Sequence, residues 1–449
     1  MHKHGSHHLR DTHVPCSPFQ PWGRFGRLFP TLPAHEPAEQ DLITLGMAGG
    51  RLDEGSSDAR PDSETIPAGF TFLGQFIDHD ITFDPTSDFD RQNDPTALRN
   101  FRTPLLELDS VYGAGPGANP YLYDQQNDPD KLLIGSDDNP NDLPRNSQGV
   151  ALIGDPRNDE NLIISQLHLA FLKFHNALVD LLRGRHPAPK NIFNEAQRLV
   201  RWHYQWMIVH RFLPLIVGRH LVEEILRDGL SYYRPGLVPF IPVEFSVAAY
   251  RFGHSQVRAV YKINEEMTSE LFDLPFFAPI QPHQVIDWSN FFHISSTASP
   301  QFSRKIDSKL VRPLLNLKPP IVPPGTPPER RSLAVRNLKR GASFNLPAGQ
   351  TIARAMGLKP LSDEELGLTD LKSFRGAAPL WFYILKEAEI QTNGEVLGQV
   401  GGRMVGEVLL GLLKADPMSY LNLEPRWEPD PAIAPKGRFA ELLKFAGVA

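Results

Sequence analysis

Between Glu64 and Asp90 the chain has no lysine or arginine, yet the apolar stretch Gly69-Phe70-Thr71-Phe72-Leu73-Gly74-Gln75-Phe76-Ile77-Asp78-His79-Asp80-Ile81-Thr82-Phe83 places Gln75, Asp78, His79 and Asp80 where a core is expected. Any fold must find partners for them. On a helix Gln75, Asp78, His79 and Thr82 fall within roughly 100° of arc, with Leu73, Phe76, Ile77 and Ile81 opposite. Asp80 projects among the apolar positions, about 160° from Asp78, so a cation or a set of strong donors is expected to meet it there. A surface helix with a solvated Asp-His-Asp face is the other arrangement these residues allow.

A chain of 449 residues can bury a large core, and its net charge of −6 is spread along it without a basic run, so no nucleic-acid partner is expected. Cys16 is the single cysteine, which excludes an intrachain disulfide and a cysteine-based metal centre within one chain. The leader Met1-His2-Lys3-His4-Gly5-Ser6-His7-His8 lacks a secretory apolar core, and no uninterrupted apolar run reaches the roughly 18 residues that span a bilayer. The expectation is a soluble protein, cytoplasmic or exported without a recognisable signal peptide.

Residues 1–62, rich in Pro, Gly, His and Asp, predict an irregular N-terminal arm with an apolar patch at Phe25, Leu28 and Phe29, and residues 63–449 a single catalytic domain. The first helix of that domain is expected to end near Phe83-Asp84-Pro85. In Asn100–Gly113, acceptors at Thr103, Glu107 and Asp109 alternate as in an extended ligand loop. Amphipathic spacing predicts a long helix from Leu162 through Leu181 and another over Asn191–Val217. His168 and His175 lie on one face of the first, as core histidines or as a ligand pair. Phe245–Tyr261 reads as a further helix carrying His254, Arg312–Arg331 as a proline-rich crossing, and further helices are expected at 333–339, 350–356, 363–368, 378–389, 395–413 and 439–445. Few segments alternate like strands, so the class is mostly α.

Five segments in order resemble the animal-type haem peroxidases of the peroxidase–cyclooxygenase superfamily, over about residues 66–357. Gly74-Gln75-Phe76-Ile77-Asp78-His79-Asp80 is similar to that family's distal helix. Thr103-Pro104-Leu105-Leu106-Glu107-Leu108-Asp109 is similar to its calcium loop, which implies Ca²⁺ bound by Asp80, Thr103, the Leu105 carbonyl, Glu107 and Asp109, with Glu107 where the family more often has Asp. Asp155-Pro156-Arg157-Asn158-Asp159-Glu160-Asn161 resembles the segment of the distal arginine and a haem-linked glutamate. Asn161 stands where the strongest halide oxidisers carry methionine, so a sulfonium link is unavailable. Ala249-Tyr250-Arg251-Phe252-Gly253-His254 resembles the proximal segment, and Leu333-Ala334-Val335-Arg336-Asn337-Leu338-Lys339-Arg340 the one whose asparagine orients the proximal histidine.

The resemblance implies a helical fold with haem b between distal and proximal helices, His254 on the iron, Asn337 behind it, and Arg251 and Arg340 among the cofactor-binding residues. Asp78 and Glu160 become candidates for ester bonds to haem. The implied catalytic residues are His79, Arg157 and Gln75, and the implied reaction is reduction of hydrogen peroxide with oxidation of small phenolic or aromatic donors, bromide, iodide or thiocyanate. A fatty-acid oxygenase of the same superfamily is the alternative. Such members place tyrosine three residues before the proximal histidine, where this chain has Arg251; Tyr250 on an α-helix is turned about 100° from that direction. A non-catalytic, calcium-stabilised binding module is the second alternative.

Overall fold

The computed structural model describes residues 23–55, 60–83, 99–136, 138–236, 238–319 and 321–449. The early histidines, Cys16 and the polar stretch over 84–98 lie outside these.

Strand Asp62–Pro67 runs through Ala68 into the helix Gly69–Ile81, which ends where Thr82 turns extended (φ −134°, ψ 133°). This helix is buried on nearly every side. Phe70, Phe72, Leu73, Phe76, Ile77 and Ile81 all enter the core, so the solvated surface helix is not what forms. Its start is fixed by close packing: a Cβ at Gly69 would stand 2.3 Å from the Phe292 ring. Phe76 stacks on Phe171 at 4.6 Å, tying the helix to Leu162–Arg183.

Leu162–Arg183 passes for a bilayer span by length and composition, but its apolar window is 83% buried by the rest of the chain, as in a core helix. Asn161 caps its start by accepting from Ile163 N and Ile164 N at 3.1 Å each. The expected helix over Asn191–Val217 forms as Ile192–Met207, a wide turn at Ile208–Phe212 and Leu213–Val217. Pro214, with no N–H to donate, accounts for the widening.

The later helices fall within a few residues of expectation: Leu333–Ser343, Gly349–Ala355, Asp363–Leu366, Leu380–Thr392, Gln399–Ala415 and Phe439–Phe445. The buried carboxylate of Glu387 sets the late start at Gln399 by accepting from Val400 N and Gly401 N. Helix makes up 46% and strand 8%, a mostly α chain. The strands are short, as in the pairing of Gly23–Gly26 with Arg99–Asn100 and Ile241–Pro242.

Three expectations need correction. Phe245–Tyr261 is not one helix. It winds wide over Glu244–Ala248, tightly over Ala249–Phe252 and regularly only over Gly253–Gln256. Ala248 breaks the winding (φ −129°, ψ −70°), and β-branched Val257 and Val260 lead into strand Val260–Lys262, paired with Thr268–Glu270. The proline-rich crossing carries single helical turns at its ends, Arg312–Leu315 and Pro328–Arg331, each with proline in its first turn. The irregular arm contains the helix Glu39–Gly46, whose Leu42 and Leu45 are buried. Phe25, Leu28 and Phe29 enter the main core, and Glu244 accepts from Leu28 N (3.0 Å) and Phe29 N (3.1 Å).

Candidate active site

The polar face of Gly69–Ile81 opens on a cavity of about 280 Å³. Gln75, Asp78 and His79 line it from this helix, Glu160 and Asn161 from the start of the long helix, and Tyr250, Arg251, Gly253 and His254 from the broken segment opposite. Phe272, Phe276, Leu314, Leu317 and Ile321 make an apolar side. Among the sequence-predicted residues, six are therefore brought together: Gln75, Asp78, His79, Glu160, Arg251 and His254.

His79 Nδ1 lies 2.8 Å from Asn158 Oδ1, and Asn158 Nδ2 lies 3.0 Å from His168 Nδ1. Burial, reinforced by the Arg157 charge, lowers His79 to about 3, so the ring is neutral at ordinary pH. Burial and then Arg251 lower His254 likewise to about 3. His254 Nδ1 is 2.8 Å from the Asn337 amide, which also accepts from Arg251 Nη1 at 3.0 Å. Among the described residues no hydrogen bond reaches His254 Nε2. Burial raises both cavity carboxyls, Asp78 and Glu160, while Arg157 opposes the shift in each.

Arg157, Asn337 and Arg340 are not in the cavity wall. Arg157 turns along the end of the helix: Nη2 donates to the carbonyls of His79 (3.1 Å) and Thr82, and the guanidinium pairs with Asp155 at 2.8 Å and lies over the Phe83 ring at 4.6 Å. Asp155 is fully buried. It also pairs with Arg102 at 2.8 Å, and the hydrogen bond and charge of Arg157, with Arg102, outweigh burial and hold its carboxyl below the usual range. Arg340 lies over Phe344, 5.9 Å from the ring centroid.

Asp80 has the partners its position demanded: Leu108 N at 3.1 Å and Ser110 Oγ at 3.3 Å. Leu108 adopts a left-handed backbone (φ 60°) to make that bond. Along Arg102–Ser110 burial alternates, with Thr103, Leu105, Glu107 and Asp109 the more open positions. The Thr103 hydroxyl bonds Glu107 and lies 3.5 Å from Asp109 Oδ2. Burial, then the Asp109 charge, raises Asp80, and burial raises Asp109 to about 7. Asp109 Oδ1 is buried without a hydrogen bond among the described residues, 3.5 Å from Arg102 Nη1. Among the described residues no three His, Cys, Asp or Glu side chains are set to hold a metal ion as they stand.

Asn158 and Asp155 were not singled out from the sequence; the Asp-Pro-Arg start, with Asp155 capping, was the available signal. His168 is a core histidine, as one of its two readings had it. Tyr250 corrects the sequence argument. The rotation away from the cavity assumed an α-helix, but the segment winds as a 3₁₀ turn, and Tyr250 lines the cavity with its hydroxyl unpartnered among the described residues.

The residues lining the cavity suit haem. Two histidines face it from opposite walls, His254 Nε2 has no partner among the described residues, and a Cβ built at Gly253 meets no atom within 4 Å. A His254 ligated through Nε2 carries its proton on Nδ1, which calls for the Asn337 amide oxygen at that side. As placed, the amide nitrogen is there and the oxygen accepts from Arg251 Nη1, so ligation through Nε2 requires the amide to turn over and Arg251 to move off it.

The animal haem peroxidase family profile matches residues 90–373. The helix carrying Gln75, Asp78, His79 and Asp80 precedes that span. Chorion peroxidase of Aedes aegypti is 25% identical over 282 residues, covering 60% of this chain and 34% of that protein, so the chain spans about a third of that relative's length. Among solved structures, peroxidase A from Dictyostelium discoideum superposes with a TM-score of 0.66 over 94% of each chain at 15% identity. The fatty acid α-dioxygenase of Oryza sativa superposes with a TM-score of 0.62 over 92% of this chain and 76% of that one, at 16% identity. At these identities the likeness is one of fold.

Proposed function

Because the chain belongs to the animal haem peroxidase family, we propose that it is a peroxidase working in the cavity between His79 and His254. The observation that carries this reading is the pair of histidines facing one cavity from different elements, each with a hydrogen-bonding asparagine behind it. Bound haem would supply an iron that exchanges electrons with peroxide and with a second substrate. His254 would hold the group through Nε2, and Asn337 would fix the ring. His79 takes a proton from hydrogen peroxide at Nε2 and returns it to the departing oxygen, first base and then acid. The balance is two protons and two electrons per peroxide, yielding two waters. The electrons come from a phenolic or aromatic donor in single steps, or from bromide, iodide or thiocyanate as a pair.

Arg157 acts here through the end of the helix: its charge adds to the burial that keeps His79 neutral, and its bonds to the His79 and Thr82 carbonyls hold that turn in place. Gln75 lines the same cavity and would offer its amide to the bound peroxide. Asp78 and Glu160, both on the cavity wall, are the carboxyls available for ester bonds to haem. We assign Ca²⁺ to the acidic loop with Asp80, Thr103, the Leu105 carbonyl, Glu107 and Asp109, on the strength of the orphaned Asp109 oxygen and the crowded carboxyls.

The test is peroxide-dependent oxidation of a phenol by haem-loaded protein. His79→Leu should lower the peroxide step about a hundredfold or more while the haem stays bound; equal rates in the two proteins would refute the assignment. Extraction of all haem by acid–acetone would exclude the ester bonds. Tyr250 favours a second reading, a fatty-acid oxygenase, since its free hydroxyl lines the cavity. Linoleate-dependent oxygen uptake that Tyr250→Phe abolishes would establish it, and uptake that is absent or unchanged would remove Tyr250 from the chemistry.

A further inference from the structure

We propose that Asn158 is a positioning residue that fixes His79 in the tautomer whose Nε2 is bare toward the cavity, and that His168 in turn holds Asn158. The role in reaction rests on the peroxidase reading above; the geometry does not.

An amide oxygen only accepts, so Asn158 Oδ1 at 2.8 Å places the His79 proton on Nδ1 and leaves Nε2 with its lone pair. The amide nitrogen only donates. At 3.0 Å from His168 Nδ1 it requires that nitrogen to be bare, which puts the His168 proton on Nε2. The two rings thus carry opposite tautomers, tied through one side chain. Turning the amide over would reverse both at once, and His79 would then present an N–H to the cavity and could take no proton from peroxide.

Every member of the chain is held in the core. Asn158 and His168 are fully buried and His79 is 5% exposed, while the Phe76 ring packs 6.0 Å from His168. Among the described residues His168 Nε2 has no hydrogen-bond partner. A buried N–H left unpaired is costly, so this placement of the amide is kept against a penalty at His168 that turning it over would relieve. Asn158 itself sits in the short turn Pro156–Asp159, held by Asp155, which accepts from Arg157 N at 2.9 Å. The turn that anchors Arg157 therefore also sets the amide.

The experiment is two-bond ¹H–¹⁵N correlation on the full-length chain labelled with ¹⁵N-histidine, signals assigned with His79→Gln and His168→Gln. The expected wild-type result is His79 protonated on Nδ1 and His168 on Nε2. Asn158→Leu should shift His79 toward the Nε2–H form, and Asn158→Asp, which keeps an acceptor oxygen, should restore Nδ1–H. In haem-loaded protein the second-order rate with peroxide should fall about tenfold to a thousandfold in Asn158→Leu and recover in Asn158→Asp, with the donor step unchanged. A wild-type His79 protonated on Nε2, or a tautomer unmoved by Asn158→Leu, would overturn the proposal. The wild-type and Asn158→Asp spectra decide it even if Asn158→Leu does not fold. Wild-type protein that fails to react with peroxide counts against the peroxidase reading and leaves the tautomer result standing.

Discussion

Gly253 has an ordinary helical backbone (φ −55°, ψ −23°), so its lack of a side chain answers a need for space rather than for torsional freedom. A Cβ there would meet no protein atom and would face the cavity. Gly253→Val should therefore leave the urea midpoint nearly unchanged while weakening haem binding about tenfold or more, near 1.4 kcal/mol. Equal haem affinity in both proteins would mean that nothing is bound against that wall. At this scale the sequence was informative where a residue's type conflicted with its surroundings. His79 and Asp80 stood out because charge and imidazole lay within an apolar run. Asn158 did not, because a polar residue after Asp-Pro-Arg is unremarkable until the fold brings His79 and His168 to either side of it.

The helix Leu162–Arg183 and its neighbour Ile192–Met207 carry His175 and His203, both buried as scaffold. His203 is fully buried between the rings of Phe174 (5.5 Å) and Trp427 (4.9 Å), and burial lowers it to about 4. The unfolded chain binds that proton near pH 6.5, so the folded state loses stability as pH falls from about 6.5 to about 4, at about 1.4 kcal/mol per pH unit. Glu387, raised to about 7 by burial, has the opposite slope over the same range, so the effect is read as a difference. Relative to wild type, His203→Phe should gain stability steadily as pH is lowered through that window. Parallel urea midpoints for the two proteins at pH 7 and pH 5 would contradict it. Amphipathic helices of this kind were legible from spacing because one period governs both packing and pattern. The segment over Glu244–Gln256 was not, since three windings in thirteen residues leave no single period to detect, and only tertiary packing selects them.

Across the whole molecule, a chain of opposite charges links the acidic loop to the cavity: Asp109 to Arg102 at 3.5 Å, Arg102 to Asp155 at 2.8 Å, Asp155 to Arg157 at 2.8 Å, and Arg157 to the His79 carbonyl at 3.1 Å. If Ca²⁺ occupies the loop, chelation should lower the melting temperature by several degrees and restore proton uptake at Asp109, whose carboxyl is otherwise raised to about 7. A melting curve indifferent to chelator and to added Ca²⁺ would remove the ion from the account. The helical class and the order of the segments were readable from the sequence. The meeting of residues 75–79, 160 and 250–254 around one cavity was not, because contacts across such separations have no local signature.

The central claim is that His254 holds haem in that cavity and that peroxide reacts there. It is tested most directly by the absorption spectrum of the purified, haem-supplemented chain before and after addition of hydrogen peroxide, with His254→Ala alongside. A Soret band at one haem per chain is expected, shifting on adding peroxide and returning when a phenolic donor follows, with a weakened and displaced band in the variant. No Soret band, or one that His254→Ala leaves unaltered, would contradict it.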